Sequence, residues 1–544
     1  MATVSRPFQV PRPISRSRSQ RRLLPPFMLT LPALGVALGM LVPIVYLVIR
    51  AASAGERAWL LLLRDRTLSV FLQTVLLAGT TTLISVLIAV PLAWLLVRTD
   101  LPLRHFWTVA TALPLVIPSY IGGFTVAAAL GPRGMLQKIL EPLIGVQRLP
   151  EIYGFPGALL TLTLFSYPYV LLSIQAGLRG IDPSLEEASR SLGHGPWSTF
   201  RRIILPQLRP SIAAGSLLVA LYALSDFGAV SLMQFDSFTR VIYMQYQASI
   251  NRGFAAVMSL ALVALTGLVL YSEGRTRGRA RYYRSAGGCN RPATLIRLGR
   301  WRWPALAFCG LLVLLALMMP LGVMIYWLVQ GLSNGEPLRL VWSAALQSII
   351  ASGVAAVAAV IAAVPVAVLA VRYSGRLSKW IERSTYIGHA LPGLVVALAL
   401  IFFSINVVRP IYQTFALLIA GYTVLFLPQA VGAIRSSLLQ ISPRLEEAGR
   451  SLGRTPRQVL ATITLPMARP GVMAGAALVF LTTMKELPVT LLLSPIGFQT
   501  LATRIWSASS EAFWARAAAP ALLLVLVSSL PMAFLVLGDR RWRS

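Results

Sequence analysis

Twelve long apolar runs constrain the fold of this chain more than any other feature of its sequence. Each run holds roughly 20 residues, which is enough to cross about 30 Å of hydrocarbon as an α-helix. Backbone groups inside a bilayer must be satisfied within the chain, so these runs predict helices. The predicted spans are 27–49, 69–97, 106–130, 155–178, 211–233, 253–271, 303–329, 343–371, 386–408, 411–434, 471–494 and 515–537. The expected fold is therefore an all-α integral membrane protein of about twelve transmembrane helices.

The positive charges indicate the orientation of these spans. Only 12% of the residues are charged, against about 25% in soluble domains. If the N-terminus is cytoplasmic, the inner segments hold 35 of the 49 lysines and arginines, as cytoplasmic loops usually do. We therefore expect both termini in the cytoplasm. Contact with anionic lipid headgroups is secondary, and the Arg-rich segment 272–302 contains no recognisable module for nucleic acid.

The same composition excludes several kinds of chemistry. Two cysteines cannot form a disulfide framework, and the three histidines share no metal-ligand spacing. None of the lysines Lys138, Lys379 and Lys485 follows a phosphate-binding glycine pattern. No group of residues resembles a catalytic set. We therefore expect no enzymatic activity and no cofactor bound by this chain.

The chain divides into two halves. Residues 1–26 are rich in Pro, Arg and Ser and are predicted to form a disordered cytoplasmic extension. The apolar part of the first span, about 23 residues, exceeds a signal-peptide core, so we expect it to stay uncleaved. The first repeat covers 27–271 and the second 303–544, and the linker 272–302 joins them.

An internal repeat relates these halves. Residues 178–233 match 438–493 without gaps at 23 of 56 positions, 260 residues apart. The segment that begins at Leu72 parallels the one at Leu346 with an offset of 274, and Leu113-Pro114 parallels Leu391-Pro392 with an offset of 278. The first half would then hold 18 extra residues, which fit the outer loop 131–153. Since six spans is an even number, the repeats are parallel, with a pseudo-twofold axis along the membrane normal and a pathway between them.

The most polar part of the repeat falls on the cytoplasmic side, after the fourth and tenth spans. Its copies read DPSLEEASRSLGHGPWSTFRRIILPQLRP (182–210) and SPRLEEAGRSLGRTPRQVLATITLPMARP (442–470). Asp182 or Ser442 can cap a short helix that carries two glutamates in its first turns. Gly193 or Gly453 would stop it, and a second short helix would end by Leu205-Pro206 or Leu465-Pro466, because a residue before proline avoids the helical region. An amphipathic helix on the lipid surface is the alternative, but it would not need the same spacings twice.

This spacing resembles the cytoplasmic loop signature of permease subunits of bacterial ABC importers. The residues that carry the resemblance are Glu186, Glu187, Ala188, Gly193, Leu205 and Pro206, and again Glu446, Glu447, Ala448, Gly453, Leu465 and Pro466. Both copies depart at the third position, usually alanine, where Ser189 and Gly449 stand. The resemblance implies that each loop helix is a coupling helix on a separate ATP-binding cassette subunit, expected as a homodimer, which would use the ATP. It also implies a periplasmic substrate-binding protein and a location in the bacterial inner membrane.

Three charged residues inside predicted spans are candidates for the pathway, because charge at membrane depth is costly. Asp226 lies in the fifth span, and Lys485 and Glu486 lie in the eleventh, with Glu486 at the position that matches Asp226. Two interpretations remain open. Lys485 forms a structural ion pair with Asp226 or Glu486 that tethers the halves, or these groups line a pathway for a hard cation.

The segment 484–511, together with Ser225-Asp226-Phe227-Gly228, resembles the fused two-half permeases of ferric-iron importers. This resemblance implies transport of Fe³⁺. Related permeases carry thiamine, polyamines, sulfate or phosphonates, and these cargoes stay open as alternatives. A further alternative is a secondary transporter coupled to ions, which would leave the paired loop motifs unexplained.

Overall fold

The computed structural model describes residues 26–248, 252–276, 295–336, 339–373 and 375–541. The predicted extension 1–26, except its last residue, and most of the linker 272–302 lie outside these ranges. Within them the structure is helical. The β-type pairing there is a single bridge between Thr99 and Ile296. The predicted all-α membrane fold is confirmed.

The helices follow one another in two similar series. The first series is α1 Phe27–Ala52, α2 Glu56–Leu60, α3 Asp65–Arg98, α4 Arg104–Ala110, α5 Ser119–Leu130, α6 Met135–Ile144, α7 Phe155–Gly180, α8 Pro183–Ser191, α9 Pro196–Thr199, α10 Leu205–Ser225, α11 Gly228–Leu232, α12 Phe238–Ala248 and α13 Gly253–Thr276. The second is α14 Arg302–Val313, α15 Met319–Ser333, α16 Arg339–Arg372, α17 Arg376–Thr385, α18 Ile387–Ala390, α19 Gly393–Asn406, α20 Phe415–Gln440, α21 Pro443–Ser451, α22 Pro456–Val459, α23 Leu465–Met467, α24 Arg469–Met484, α25 Pro488–Leu493, α26 Leu501–Ser510 and α27 Trp514–Arg541.

Not every predicted span is a single helix. In the described part of the chain, eight helical segments are long and apolar enough to cross a membrane, and two bent pairs raise the number to ten. The predicted spans 386–408 and 515–537 instead coincide with shorter apolar helices, 393–406 and 514–529. At 1.5 Å per residue, the 14 residues of α19 measure about 21 Å, less than the hydrocarbon thickness.

Prolines break the third and ninth spans at equivalent places. Pro118 precedes α5 and Pro392 precedes α19, and both prolines have extended backbone. The residues before them, Ile117 and Leu391, are also extended, as the proline ring requires. Pro392 follows Pro118 by 274 positions, so the alignment of Leu113-Pro114 with Leu391-Pro392 was wrong. Between its third and fourth spans, the first half therefore has 14 more residues than the second half, where the sequence analysis expected 18. These extra residues include α6.

The fifth and eleventh spans are also interrupted, although the sequence analysis expected both to be continuous. Helix α10 ends at Ser225, and Asp226 has an extended backbone with ψ 133°. Helix α24 ends at Met484, and α25 begins at Pro488. The two breaks fall at matching positions of the repeat and contain the three charged candidates.

The two halves interlock. Helix α1 packs against α16 and α19 of the second half, and α15 packs against α5 of the first half. The core of each half is a group of three long helices, which are α3, α7 and α10 in the first and α16, α20 and α24 in the second. Each half is therefore completed by the first span of the other.

Two helices that the sequence analysis did not predict, α12 and α26, follow the interrupted spans. The first backbone N–H of α12, that of Phe238, donates to the Thr74 hydroxyl at 3.0 Å. The corresponding N–H of α26, that of Leu501, donates to the Ser348 hydroxyl at 2.8 Å. Thr74 and Ser348 are 274 positions apart, so the two helices are anchored in the same way.

Candidate coupling loops and pathway

The first short helix of each polar loop is present as predicted. Helix α8 is preceded by Asp182, whose carboxylate accepts a hydrogen bond from the Ser184 N–H at 3.0 Å. Ser442 precedes α21 but makes no side-chain cap, so the expected capping holds for the first loop only. Gly193 and Gly453 follow the two helices with φ of 82° and 81°. This left-handed conformation ends the helix and favours glycine.

The two adjacent glutamates of each loop have opposite environments. Glu186 and Glu446 are 6% and 7% exposed, whereas Glu187 and Glu447 are exposed to solvent. The first glutamate of each pair therefore belongs to the interior of the chain. The second is available to a partner.

Each buried glutamate is paired with an arginine at the end of a long helix. Arg98, the last residue of α3, places its Nη2 2.9 Å from Glu186 Oε1. Arg372, the last residue of α16, places its Nε 2.8 Å from Glu446 Oε1. Both arginines also donate to backbone carbonyls near the loops, Arg98 to Leu178 at 3.0 Å and Arg372 to Ile441 at 3.2 Å. Each loop helix is thus tied to the second or eighth span.

Sequence reasoning missed these two arginines, although a signal was available. Arg98 and Arg372 end the aligned segments that begin at Leu72 and Leu346, and they are 274 positions apart. The repeated polar segment and the repeated arginine have different offsets, 260 and 274. The pairing becomes visible only in the folded chain.

The residue at the third position of the signature, Ser189 or Gly449, is small because it packs closely against other residues of the same loop. A Cβ on Gly449 would lie 2.6 Å from Ile463 Cδ1 and 3.3 Å from Val459 Cγ2. Ser189 is buried in the first loop and its hydroxyl lies 3.0 Å from that of Thr199. Thr199 and Val459 are equivalent in the repeat. The small residues thus allow close approach of the loop's own second helix.

The prediction that the second short helix ends by Leu205-Pro206 and Leu465-Pro466 was wrong. In the first loop, the π-helical turn Phe200–Ile204 joins α9 to α10, and Leu205 keeps helical dihedral angles. In the second loop, the π-helical turn Leu460–Thr464 leads into α23, and the bend of 66° comes after Met467. Each proline stands in the first turn of the next helix, where its missing N–H and ring are tolerated.

Exposed apolar residues complete the outer surface of both loops. Leu192 and Leu452, next to the helix-ending glycines, are 78% and 83% exposed, and Leu185 and Leu445 are 43% and 44% exposed. Ala188 and Ala448 are exposed as well. The same apolar and acidic groups are therefore presented at two related places.

The pathway candidates lie in the interrupted spans but do not pair with one another. Asp226 is 7% exposed. Its Oδ1 accepts the Ala229 and Val230 N–H groups at 3.0 and 3.3 Å, and its Oδ2 accepts the Ser119 hydroxyl. These contacts satisfy the Asp226 carboxylate, which caps the first turn of α11 from the residue before the N-cap position Phe227.

Glu486 and Lys485 are only half-buried. Glu486 Oε1 accepts the Val489 N–H at 3.3 Å and lies against Gly393, where an added Cβ would come within 2.6 Å of it. Lys485 Nζ donates to the Leu115 carbonyl of the first half at 3.1 Å. The ion pairs among the described residues do not include Lys485, so the expected structural ion pair is not formed in this conformation.

The carboxylates do not form a metal cluster. Within the described ranges, no group of three or more His, Cys, Asp or Glu residues is close enough to hold a metal ion. The structure brings Asp226 together with Ser119, and Glu486 together with Gly393. Since Ser119 and Gly393 are the first residues of α5 and α19, the longer carboxylate faces the residue without a side chain.

The duplicated architecture agrees with a match to known families. The description "Binding-protein-dependent transport system inner membrane component" applies to residues 80–273 and again to 355–544. The chain belongs to this family. It is therefore a multi-pass permease of the inner membrane, and the predicted internal repeat is confirmed. A permease of this type works with a substrate-binding protein and an ATPase, and it is not itself an enzyme.

Individual relatives agree with this assignment. The Fe(3+)-transport system permease protein FbpB 2 of Haemophilus influenzae is 38% identical over 94% of this chain and 98% of its own length. The Ferric transport system permease protein FbpB of Actinobacillus pleuropneumoniae is 24% identical over 79% of this chain and 65% of its own. The Molybdenum transport system permease protein ModB of Escherichia coli K12 is 34% identical over 29% of this chain and 69% of its own.

Proposed function

We propose that this permease carries ferric iron into the cell, driven by two copies of one ATP-binding cassette subunit on its cytoplasmic loops. The observation that supports ferric iron as the cargo is the similarity to the Haemophilus permease. This similarity extends over both halves and nearly the full length of both chains.

The duplicated loops supply the coupling to ATP hydrolysis. Each presents an exposed glutamate and an exposed alanine on a helix of nine residues, followed directly by a leucine that is about four-fifths exposed. Behind this surface, the buried glutamate connects the loop to α3 or α16 through its arginine. When two ATPase subunits approach on binding ATP, they move both loops, and each arginine passes the displacement to a long helix. Rigid-body motion of the two halves then opens the pathway to alternate sides.

The orientation follows from the loops and from the basic residues. The loops face the ATPase, so they are cytoplasmic. When the bent pairs and the shorter apolar helices 393–406 and 514–529 are counted as spans, the described part of each half has six, and this even number would place both termini on the same side. The inner segments then hold most of the lysines and arginines. The periplasmic binding protein docks on the opposite face, where α12 and α26 lie.

In this proposal, the half-buried Glu486 and Lys485 line the pathway, and Asp226 shapes it as a helix cap. Carboxylate oxygens suit hard cations such as Fe³⁺. Iron is the transported substrate, so the permease must release it and does not need to bind it tightly. The absence of a three-ligand cluster among the described residues is compatible with a weak, transient contact.

A second candidate cargo is an oxyanion. Its support is Lys485, a half-buried ammonium beside the pathway, together with relatives named as sulfate and molybdenum transport permeases. These relatives match 29% to 50% of the chain, which makes this candidate weaker than ferric iron.

The test is uptake by the complete complex in proteoliposomes, with the cognate binding protein, the ATPase and internal ATP. We expect radiolabelled Fe³⁺ to accumulate inside, and molybdate or sulfate to leave that uptake unchanged. Accumulation of ³⁵S-sulfate or molybdate instead would establish the second candidate. Iron uptake that continues without ATP or without the ATPase subunit would overturn the proposed coupling and favour a secondary transporter.

A further inference from the structure

An aromatic residue from the first half packs between equivalent elements of the two halves. The Phe227 ring centroid lies 4.7 Å from that of Tyr243 in α12 and 5.0 Å from that of Trp506 in α26. Phe227 is 1% exposed. Its neighbours therefore include one aromatic ring from each half.

Tyr243 and Trp506 are equivalent residues. Each is the sixth residue of its helix, and α12 and α26 begin with the same anchor to a hydroxyl on the second or eighth span. Two residues related by a twofold axis can both touch a single side chain only close to that axis. Phe227 therefore lies near the pseudo-twofold axis. In parallel repeats, the substrate pathway runs along this axis, between the halves.

The depth of Phe227 follows from the length of α10. This helix has 21 residues and starts directly after the cytoplasmic loop, so it rises about 30 Å before it reaches Asp226 and Phe227. That distance is the thickness of the hydrocarbon core. Phe227 therefore lies near the end of the pathway that is far from the proposed coupling loops.

The position next to a helix break allows Phe227 to move. Asp226 has an extended backbone between α10 and α11, and interruptions of this kind are where hinges absorb changes in dihedral angle. The equivalent residue in the second half is Leu487, which is 2% exposed in the same buried cluster as Phe227. One aromatic ring, rather than a symmetric pair, thus fills the axis.

We propose that Phe227, held between Tyr243 and Trp506, is the barrier residue that closes the outer end of the pathway. This inference rests on the proposed function as an alternating-access permease. A hydrophobic constriction can block hydrated ions by excluding water. The aromatic contacts hold the barrier shut at rest, and separation of α12 from α26 would release it.

The first test is the accessibility of a cysteine in the full complex, in a chain with Cys289→Ser and Cys309→Ser. Ser225→Cys lies at the last residue of α10, before Phe227 and at the position equivalent to the pathway candidate Lys485, and it is treated with a membrane-impermeant maleimide added to the outer face. Phe227 is kept, because a cysteine in its place would itself open the barrier. We expect no labelling at rest and clear labelling when the binding protein and ATP drive turnover. Labelling at rest, or none in either condition, would overturn the proposal.

Two control variants separate this inference from the proposed function. Ile496→Cys lies on an outer loop at 89% exposure and Leu452→Cys on a coupling loop at 83% exposure. Ile496→Cys should react from outside in both conditions, and Leu452→Cys in neither. The reverse pattern would contradict the proposed orientation and coupling. The expected control pattern with Ser225→Cys already labelled at rest would contradict the barrier alone.

A second measurement uses Phe227→Ala against Leu487→Ala in sealed vesicles without ATP. Leakage of iron nitrilotriacetate into vesicles loaded with calcein, which iron quenches, should rise several-fold in Phe227→Ala and stay near wild type in Leu487→Ala. Equal leakage in both variants would assign Phe227 to general packing and remove it from the barrier.

Discussion

Glu186 of α8 and Arg98 at the end of α3 form a buried ion pair, with 2.9 Å between Oε1 and Nη2. The side chains are 7% and 2% exposed. A buried charge pair is costly to form and more costly to break, since the remaining charge has no partner. Its repetition as Glu446 and Arg372 points to a mechanical role, in which the loop cannot move without its long helix.

We predict that Glu186→Gln destabilises the permease by about 3 kcal/mol, because it leaves Arg98 buried without a counter-charge. Thermal unfolding in detergent measures this change. The neighbouring Glu187→Gln is the control and should leave stability unchanged, because Glu187 is exposed. We also expect Glu186→Gln to lose more stability than Glu446→Gln, because the Arg98 side chain is only 2% exposed and that of Arg372 is 12% exposed. Equal stability of the two Glu186 and Glu187 variants would remove the ion pair from the coupling mechanism.

We predict that Gly193→Ala weakens association with the ATPase. Gly193 has φ 82°, where a residue with Cβ costs about 1–2 kcal/mol, although no atom lies within 4 Å of the added carbon. The end of α8 should therefore fray and misplace Glu187. Gly195→Ala is the matched control, since it has equal space and an ordinary φ. The measurement is co-purification of the ATPase with the permease. Equal recovery with both variants would show that the helix end does not position the loop.

The third signature position provides a prediction with a rescue. Gly449→Ala places a methyl group 2.6 Å from Ile463 Cδ1, and overpacking of this kind costs about 1–3 kcal/mol. Ile463→Val removes the Cδ1 atom, so the double variant should recover most of the lost stability. Unfolding midpoints of the single and double variants measure the coupling. Additive losses would contradict the packing explanation.

The sequence was sufficient for the features that are local or repeated. Gly193 and Gly453 predicted the helix ends, because only their local conformation was needed. The match between 178–233 and 438–493, at an offset of 260 residues, identified the repeat and the two loops. The length of an apolar run predicted a transmembrane helix correctly only where that helix is continuous across the membrane.

Contacts between distant segments could not be read in the same way. Arg98 and Glu186 are far apart in the chain and have different repeat offsets, so the ion pair had no signature of its own. The rule that a residue before proline leaves the helix did not hold at Pro206 and Pro466, because π-helical turns lead directly into the next helix there. The breaks at Asp226 and Lys485-Glu486 were hidden because apolar composition continues across them, whereas helical geometry does not.

The three pathway candidates should separate into two classes when changed one at a time. Asp226→Asn keeps an oxygen for the cap of α11 but replaces charge-assisted hydrogen bonds, including the one from the Ser119 hydroxyl, with neutral ones, so we expect a loss of stability of about 1 kcal/mol. Glu486→Gln removes the charge of a half-buried group and should reduce ferric-ion uptake at unchanged stability and ATPase recovery. Uptake per assembled complex, together with thermal unfolding, distinguishes the two. Normal iron uptake by Glu486→Gln would exclude this carboxylate from the pathway.

Lys485 joins the halves through the Leu115 carbonyl, and hydrogen bonds from charged donors contribute about 1.5–3 kcal/mol. Lys485→Met keeps the length of the side chain but loses this bond, so the resting contact between the halves should weaken. We expect the basal ATPase rate without binding protein to rise several-fold. Ser225→Ala, at the equivalent position, is the control, because Ser225 bonds only its own helix. If both variants keep the wild-type basal rate, Lys485 does not hold the resting state, and its charge would act on the passing ion instead.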